Sequence, residues 1–309
     1  MKKQVTSLII VLFFLNVFFL SSAAACEDHT LHSEEPWDNV YTDLISKKEC
    51  AMGDALITVI EGNGVRDPKH KFKSRETIIF LPAATNFNQP IEFIFYFHGL
   101  GGFKERDFST RTLRHTKNLK KNYILIIPEL PWSHNTSTPR SRLGRIFTHK
   151  THFPKFFEEI KFMVTLFYEK DIIVNKVVML GHSAGGSVIQ SISKSGGLNW
   201  LYEKEKIQQL QIIFSDASYG HWLDITWKYL NPRFSNINLL VLTRKGDRPY
   251  KHARRFLKKF KKKPANLCHM VFKRIIKHGE IGDQAFSWID KTPILSDCGK
   301  GERNEQSDE

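Results

Sequence analysis

One serine of the sequence lies between two glycines, in the segment Gly181-His182-Ser183-Ala184-Gly185. The segment follows the apolar run VVML and its last two residues begin the stretch AGGSVIQSISKSGG, which has helical character. A serine on a tight turn from strand to helix presents its hydroxyl at the edge of a sheet, and its neighbours must be small because the turn is crowded. The pattern therefore predicts a nucleophile elbow with Ser183 as the attacking residue. The alternative is that the glycines only make a tight turn.

A serine hydroxyl is a poor nucleophile at neutral pH, so this interpretation requires a histidine base and a carboxylate that orients it. In the chain order serine, acid, histidine, both partners follow Ser183. His278 follows the last predicted strand and is assigned as the base. Asp247 and Asp216 each end a predicted strand between the serine and the histidine. Asp247 is the preferred acid and Asp216 the alternative, and the other aspartate would then cap a turn or a helix.

Attack by the serine also requires hydrogen-bond donors aimed at the oxyanion that forms. The segment FYFHGLGGF ends an apolar strand upstream of the serine, and its glycines allow backbone amides to approach a ligand closely. We expect the amides of Leu100 and Ala184 to be these donors. His98 is predicted to be a structural hydrogen-bonding residue and not a second base. This chemistry requires no metal and no organic cofactor.

Eight short apolar runs, rich in β-branched and aromatic residues and ending in Gly, Pro, Asp or His, predict strands. Helical patterns fill the gaps from the third run onward, so we expect an α/β fold with a mostly parallel, eight-stranded sheet flanked by helices. The N-terminal strands are joined by short gaps and are expected to be antiparallel. The runs are ALITVI, TIIFLPA, IEFIFYFHG, YILIIPE, KVVMLGHS, LQIIFSDAS, LLVLTRKGD and MVFKRIIKHG.

Taken together, these motifs resemble the α/β-hydrolase superfamily, specifically its secreted esterase and lipase-like members. HGLGG is similar to the oxyanion motif of that family, GHSAGG to its elbow, and KGD and KHG to its acid and histidine positions, over residues Ile57 to Ile289. The resemblance implies a serine hydrolase of the carboxylesterase or lipase-like kind, which cleaves carboxylic esters through an acyl-enzyme on Ser183. A peptidase or amidase and an acyltransferase use the same residues. A catalytically idle binding protein on this scaffold is a further alternative.

The N-terminus predicts export. Lys2 and Lys3 precede an apolar run, and the small residues Ala23 to Ala25 follow it. We expect a signal peptide that is cleaved after Ala25, and a secreted or periplasmic protein. The sequence is accordingly divided into a signal peptide (1–25), an N-terminal segment (26–56), the α/β-hydrolase domain (57–298) and a polar C-terminal tail (299–309).

Four cysteines lie in the predicted mature chain, namely Cys26, Cys50, Cys268 and Cys298. An exported protein can form disulfides, and four cysteines allow three pairings. Pairing Cys26 with Cys50 and Cys268 with Cys298 would close the shortest loops, but the sequence does not decide the connectivity. The alternative role for Cys26 is lipid attachment at the cleavage point, which is disfavoured because Ala23 stands where a bulky aliphatic residue is usual.

The formal net charge of +14 favours anionic partners. Much of this charge lies in KHARRFLKKFKKK, where Ala253, Phe256, Leu257 and Phe260 recur with the period of a helix and predict an amphipathic helix with a basic outer face. This face is either simply solvated or attracted to an anionic membrane or cell-wall surface. Nucleic acid is not expected as a partner, because no binding motif accompanies the charge. The expected substrate is a small-molecule or lipid ester.

Overall fold

The structure is a computed structural model. The signal peptide, the C-terminal tail, Cys26 and Cys298 of the sequence predictions lie outside the residues that it describes. For the strands at residues 27–29, 42–50 and 53–60, only the backbone is described. The described residues are 27–29, 42–50, 53–60, 76–100, 119, 122–130, 146–230, 237–262 and 264–290.

All strands of the described chain join one sheet, in the order β1-β2-β3-β4-β6-β5-β7-β8-β9-β10. The strands from β5 to β10 pair in parallel, whereas β4 runs antiparallel to both β3 and β6. The pair β3–β4, formed by the first two predicted runs, is antiparallel as predicted. The pairs β1–β2 and β2–β3, which were not predicted, are antiparallel as well. The strands are β1 (Glu27–His29), β2 (Thr42–Cys50), β3 (Gly53–Ile60), β4 (Glu76–Pro82), β5 (Ile91–Phe97), β6 (Tyr123–Pro128), β7 (Val174–His182), β8 (Gln209–Ser215), β9 (Ile237–Arg244) and β10 (Leu267–Phe272).

The predicted α/β class with a mostly parallel sheet is confirmed, but the predicted number of eight strands is wrong. Seven strands, β4 to β10, form the mostly parallel part, and β1 to β3 extend the sheet to ten strands. The sequence of β2, TDLISKKEC, has too few apolar residues to indicate a strand. The domain boundary predicted at residue 57 falls within β3, so strands on both sides of it belong to one sheet.

Six helices flank the sheet in the described part of the chain. Five of the six correspond to helical patterns in the sequence, and the short helix α3 was not predicted. No helix among the described residues is long and apolar enough to cross a membrane. The helices are α1 (His152–Tyr168), α2 (Gly186–Lys194), α3 (Gly197–Glu203), α4 (Trp222–Tyr229), α5 (Arg248–Leu257) and α6 (His278–Phe286).

The sheet separates two hydrophobic clusters, as expected for strands whose side chains alternate between the two faces. On one face, Phe95 of β5 lies 5.5 Å from Phe153 of α1, measured between ring centroids. Helices α1 to α5 contribute buried residues to this face. On the other face, Tyr96 lies 5.3 Å from Phe286 of α6. Helices on both faces leave the carboxyl edge of the parallel strands for the functional residues.

Candidate active site

Ser183 lies on a sharp turn between β7 and α2. A 3₁₀ turn, Ser183–Gly185, joins the two elements directly. The backbone of Ser183 has a φ of 51°, a left-handed conformation that is uncommon for residues other than glycine. The turn is also crowded, because a Cβ at Gly185 would lie 1.9 Å from the carbonyl oxygen of Phe97, and one at Gly181 would lie 2.9 Å from the Gly185 backbone. These features are those of the predicted nucleophile elbow.

The imidazole of His278 is paired with a buried carboxylate. His278 Nδ1 lies 2.5 Å from Oδ2 of Asp216, whose side chain is 1% exposed. An imidazole that donates from Nδ1 to a carboxylate leaves Nε2 free to accept a proton. Within the described part of the chain, Asp216 Oδ1 has no hydrogen-bond partner. The backbone of Asp216 is also left-handed, with a φ of 46°. Backbone strain of this kind is typical of functional sites.

The structure does not bring Asp247, the acid preferred from the sequence, to the imidazole. Its Oδ2 accepts a hydrogen bond from Nε of Arg244 at 2.7 Å and lies 2.5 Å from Nη2 of the same residue. Arg244 also donates to the carbonyl oxygen of Ile276 at 3.2 Å. Asp247 therefore supports the loop that leads to His278. Asp216, the alternative acid, is the aspartate that contacts the His278 imidazole.

His278 lies in a different element from the one predicted, because the predicted strand run MVFKRIIKHG includes it. β10 ends at Phe272, and His278 is the first residue of α6. Ser215 at the end of β8 donates its hydroxyl to the carbonyl oxygen of Ile281 at 2.9 Å, and both residues are buried. This hydrogen bond fixes the first turn of α6 against the strand that precedes Asp216. His278 and Asp216 therefore lie on two elements that are hydrogen-bonded to each other.

His182, the neighbour of Ser183, packs against His278. The two ring centroids are 4.7 Å apart, and His182 Nε2 donates to the carbonyl oxygen of His278 at 3.1 Å. Burial and, to a smaller extent, the neighbouring His278 lower the pKa of His182 to about 4, so His182 is neutral at pH 7. A Cβ at Gly282 would lie 3.0 Å from the His182 ring, so glycine makes room for this contact. Sequence reasoning missed the role of His182, although its place inside the elbow motif was a signal.

The loop after β5 passes directly beside the serine. A Cβ at Gly99 would lie 3.1 Å from Cβ of Ser183. His98 is buried, and its Nε2 accepts a hydrogen bond from the backbone N–H of Leu130 at 3.2 Å. Its Nδ1 then carries the proton and donates to the carbonyl oxygen of Gly99 at 2.7 Å. His98 thus has the hydrogen-bonding surroundings of a structural residue that fixes this loop.

The two amides expected to bind the oxyanion lie on the two segments that flank Ser183. Ala184 is buried in the 3₁₀ turn that leads into α2, and its carbonyl oxygen accepts a hydrogen bond from Oγ of Ser187 at 2.8 Å. Amides at the start of a helix lack partners within it, so they are available to an anion. Leu100 follows Gly99, and the residue is 41% exposed. The assignment of these amides stays a prediction.

Neither a cysteine nor a metal-binding group is found in the described part of this site. Cys268 is buried in β10, and Cys50 ends β2. Because Cys26 and Cys298 lie outside the described residues, the pairing of the cysteines stays a prediction. The described residues contain no group of three or more His, Cys, Asp or Glu side chains that could hold a metal ion.

The mostly parallel sheet flanked by helices, and the chain order of Ser183, Asp216 and His278, agree with the α/β-hydrolase fold that the sequence motifs resemble. No family model and no curated protein matches the sequence.

Among solved structures, an S-formylglutathione hydrolase from Agrobacterium tumefaciens is 13% identical, with a TM-score of 0.48 over 79% of this chain and 96% of that chain. The fluorophosphonate-binding serine hydrolase FphF from Staphylococcus aureus is 11% identical, with a TM-score of 0.49 over 77% and 98%. A feruloyl esterase module from Clostridium thermocellum is 13% identical, with a TM-score of 0.46 over 85% and 94%. Similarity at this level says nothing about substrate or residue roles.

Proposed function

We propose that this protein is a serine hydrolase that cleaves carboxylic esters through an acyl-enzyme on Ser183. The proposal rests on the contact between His278 Nδ1 and Asp216 Oδ2, which leaves the other imidazole nitrogen free to act as a base. The contact between the His182 and His278 rings supports it, because His182 directly precedes the serine. The substrate that suits this chemistry is a small-molecule or lipid ester.

In the first half of the reaction, Ser183 Oγ attacks the ester carbonyl carbon while its proton passes to His278 Nε2. Asp216 stabilises the imidazolium that forms and holds its tautomer. The amides of Leu100 and Ala184 donate to the oxyanion of the tetrahedral intermediate. The intermediate collapses, the bond to the alcohol oxygen breaks, and His278 returns the proton to the departing alcohol.

In the second half, water attacks the acyl group on Ser183 and its proton passes to His278. The second tetrahedral intermediate breaks the bond to Ser183 Oγ, which recovers its proton, and the carboxylic acid leaves. His278 therefore transfers a proton in both directions in each half-reaction. The neutral His182 does not compete for these protons at pH 7, since its pKa is about 4.

The test is intact-mass spectrometry of the protein before and after reaction with a fluorophosphonate probe, followed by turnover of p-nitrophenyl esters. We expect one adduct on Ser183 and ester turnover. Ser183→Ala should give no adduct and lower turnover by at least about 10³-fold, because the nucleophile is lost. Residual turnover within about tenfold of wild type would contradict the mechanism.

The control for this test is the thermal unfolding midpoint of Ser183→Ala. The midpoint should be no lower than that of the wild type, since the left-handed conformation at this position is unfavourable for any side chain. Esters of increasing acyl length would then size the substrate pocket, and the matching anilides would separate esterase from amidase activity. An unlabelled but folded wild-type protein would instead favour the idle binding protein.

We also propose that the protein is exported, which rests on the sequence of residues 1–25 alone. The same mass spectrum tests this proposal when the protein is purified from cells that express the full sequence. A mature mass that begins at Cys26 supports cleavage after Ala25. An additional lipid mass would identify Cys26 as lipidated, and an uncleaved chain would contradict cleavage by a signal peptidase.

A further inference from the structure

A strongly basic surface follows β9. Residues 248–279 contain twelve Lys and Arg residues and no Asp or Glu. We define the basic face as Lys251, Lys258, Lys261 and Lys262, four exposed side chains on α5 and the turn after it. No acidic partner is found for these four lysines among the described residues, whereas the neighbouring Lys259 pairs with Asp224. The basic face is therefore free to attract an anionic partner.

An apolar groove lies beside the basic face, between α4 and the end of α5. It has a volume of about 540 Å³ and is open to solvent. Its apolar lining is Ile225, Trp227, Phe256 and Phe260, and none of its lining residues belongs to the candidate active site. The ring of Trp227 lies edge-on to Phe260, with centroids 5.4 Å apart. The partly exposed indole is thus held in place in the wall of the groove.

The rim of the groove adds charge to the same surface. Lys228 and Lys259 line the groove together with Asp224 and His221, and both lysines are exposed. Since Asp224 is already paired with Lys259, Lys228 adds to the positive charge of the basic face. An occupant of the groove would therefore combine an apolar part with a negatively charged part.

We propose that the groove and the basic face together bind the surface of a membrane that contains anionic phospholipids. Lysines near such a surface are attracted to its headgroups, and tryptophan rings favour the boundary between headgroups and acyl chains. Ala253 and Phe256 of α5 are buried in the core and Leu257 is partly buried against it, so this helix does not enter the bilayer as a whole. The groove supplies the apolar contact instead. A soluble polyanion would use the lysines but would leave the aromatic groove unexplained.

The test is sedimentation of the purified full-length protein with vesicles of phosphatidylcholine alone or mixed three to one with phosphatidylglycerol. We expect binding to the mixed vesicles and little binding to phosphatidylcholine. The variant Lys258→Gln/Lys261→Gln/Lys262→Gln should bind the mixed vesicles on the order of 100-fold more weakly, since each lysine near an anionic surface contributes about fivefold. All variants have the same N-terminus, so any contribution of residues 1–25 is the same in each.

The matched control removes three exposed lysines elsewhere, in Lys155→Gln/Lys170→Gln/Lys194→Gln. It has the same net charge as the first variant, and we expect its vesicle binding to remain within about threefold of wild type. An equal loss in both variants would overturn the proposal, because binding would then depend on net charge and not on the basic face. Equal binding of the wild type to both kinds of vesicle would overturn it as well.

The groove is tested by tryptophan fluorescence with the conservative variant Trp227→Phe. We expect the wild-type emission to shift to shorter wavelength with mixed vesicles, because Trp227 moves into a less polar environment, and the shift to be much smaller in Trp227→Phe. An unchanged shift in the variant would overturn the role of the groove. Binding to soluble polyglutamate but not to mixed vesicles would overturn the proposal of a membrane partner and favour an acidic polymer.

Discussion

The ends of β8 and β9, two neighbouring strands, each place an aspartate at the same edge of the sheet, but in different surroundings. Asp216 directly follows β8, and its backbone N–H still bonds to β9, at 2.8 Å from the carbonyl oxygen of Leu242. Asp247 lies beyond the end of β9 in a turn that bonds to itself, with its N–H 3.3 Å from the carbonyl oxygen of Arg244. The side chain of Asp216 is 1% exposed and that of Asp247 is 25% exposed.

This difference shows how the fold distinguishes two carboxylates that look equivalent along the chain. A residue that remains bonded to the sheet has a fixed direction, and Asp216 faces His278 from a buried position. A residue in an open turn is free to pair with the nearest cation, and Asp247 pairs with Arg244. Which aspartate can face His278 is therefore determined by whether its backbone is still hydrogen-bonded to the neighbouring strand, more than by its distance along the chain.

The largest difference between the two strand ends is expected in catalysis. Asp216→Asn should lower kcat by about 10⁴-fold, because the amide no longer holds the correct imidazole tautomer or stabilises the imidazolium. Asp247→Asn removes a partly exposed ion pair and should change kcat by no more than about fivefold. Ester turnover at saturating substrate measures both variants.

Each of these variants retains the size of the side chain, so thermal unfolding serves as the control for folding. A kcat loss with Asp247→Asn that matches or exceeds the loss with Asp216→Asn would reverse the assignment. The sequence preference for Asp247 would then stand, and the contact between Asp216 and His278 would be structural.

Several features of the site could be predicted from the sequence because they depend on local chemistry. Glycines two positions before and two positions after Ser183 are required by a turn as tight as the observed one, in which a Cβ at Gly185 has no room. Strand β7 could be predicted because residues 177–180 in its middle form a continuous apolar run. The apolar run before His98 and the glycines after it likewise predicted the loop that lies beside Ser183.

The choice between the aspartates could not be made from the sequence, because it depends on where the hydrogen bonds between neighbouring strands end. One local signal did point away from Asp247. It precedes Arg248 and Pro249, and a proline near the start of a helix marks the preceding aspartate as an N-terminal boundary residue. The contact between His182 and His278 is set by the packing of α6, which no local pattern encodes.

The next difference is the room for a side chain at Gly185, beside Ser183, and at Gly246, in the turn after β9. Gly185→Ala should lower the free energy of unfolding by at least about 3 kcal/mol, because its Cβ would lie 1.9 Å from a backbone oxygen that cannot move without disturbing β5. Gly246→Ala, in the open turn after β9, meets no atom within 4 Å and has only a left-handed φ of 86° to accommodate. It should cost about 1 kcal/mol.

Urea denaturation of both variants, with the slope compared to that of the wild type, measures these losses. Equal losses for the two alanines would contradict the view that the edge beside Ser183 is enclosed and the turn after β9 is open. A Gly185→Ala protein that does not fold would agree with the larger loss, provided that Gly246→Ala folds under the same conditions.

The smallest effect is expected in the pH dependence of stability, through His182. Its pKa of about 4 in the folded protein lies below the ordinary value of 6.5, so the unfolded chain binds the proton more readily between these values. The contribution of the neutral ring is complete above pH 6.5 and is lost as the pH falls toward 4. Between pH 7.0 and 5.0 this loss of stability is about 2 kcal/mol, since each pH unit between the two pKa values corresponds to about 1.4 kcal/mol.

The variant His182→Gln separates this contribution from those of other acid-sensitive groups. Urea denaturation of both proteins at pH 7.0 and 5.0 should show a smaller loss of stability for the variant, although its stability at pH 7.0 is lower because the packing against His278 is lost. The matched control is His221→Gln, which removes an exposed histidine outside the candidate site and whose stability is measured at the same two pH values. An equal loss in wild type and His182→Gln would mean that the His182 ring takes up a proton as readily in the folded protein as in the unfolded chain. The sheet edge at β7 and β8 would then be no more enclosed at His182 than the edge at β9.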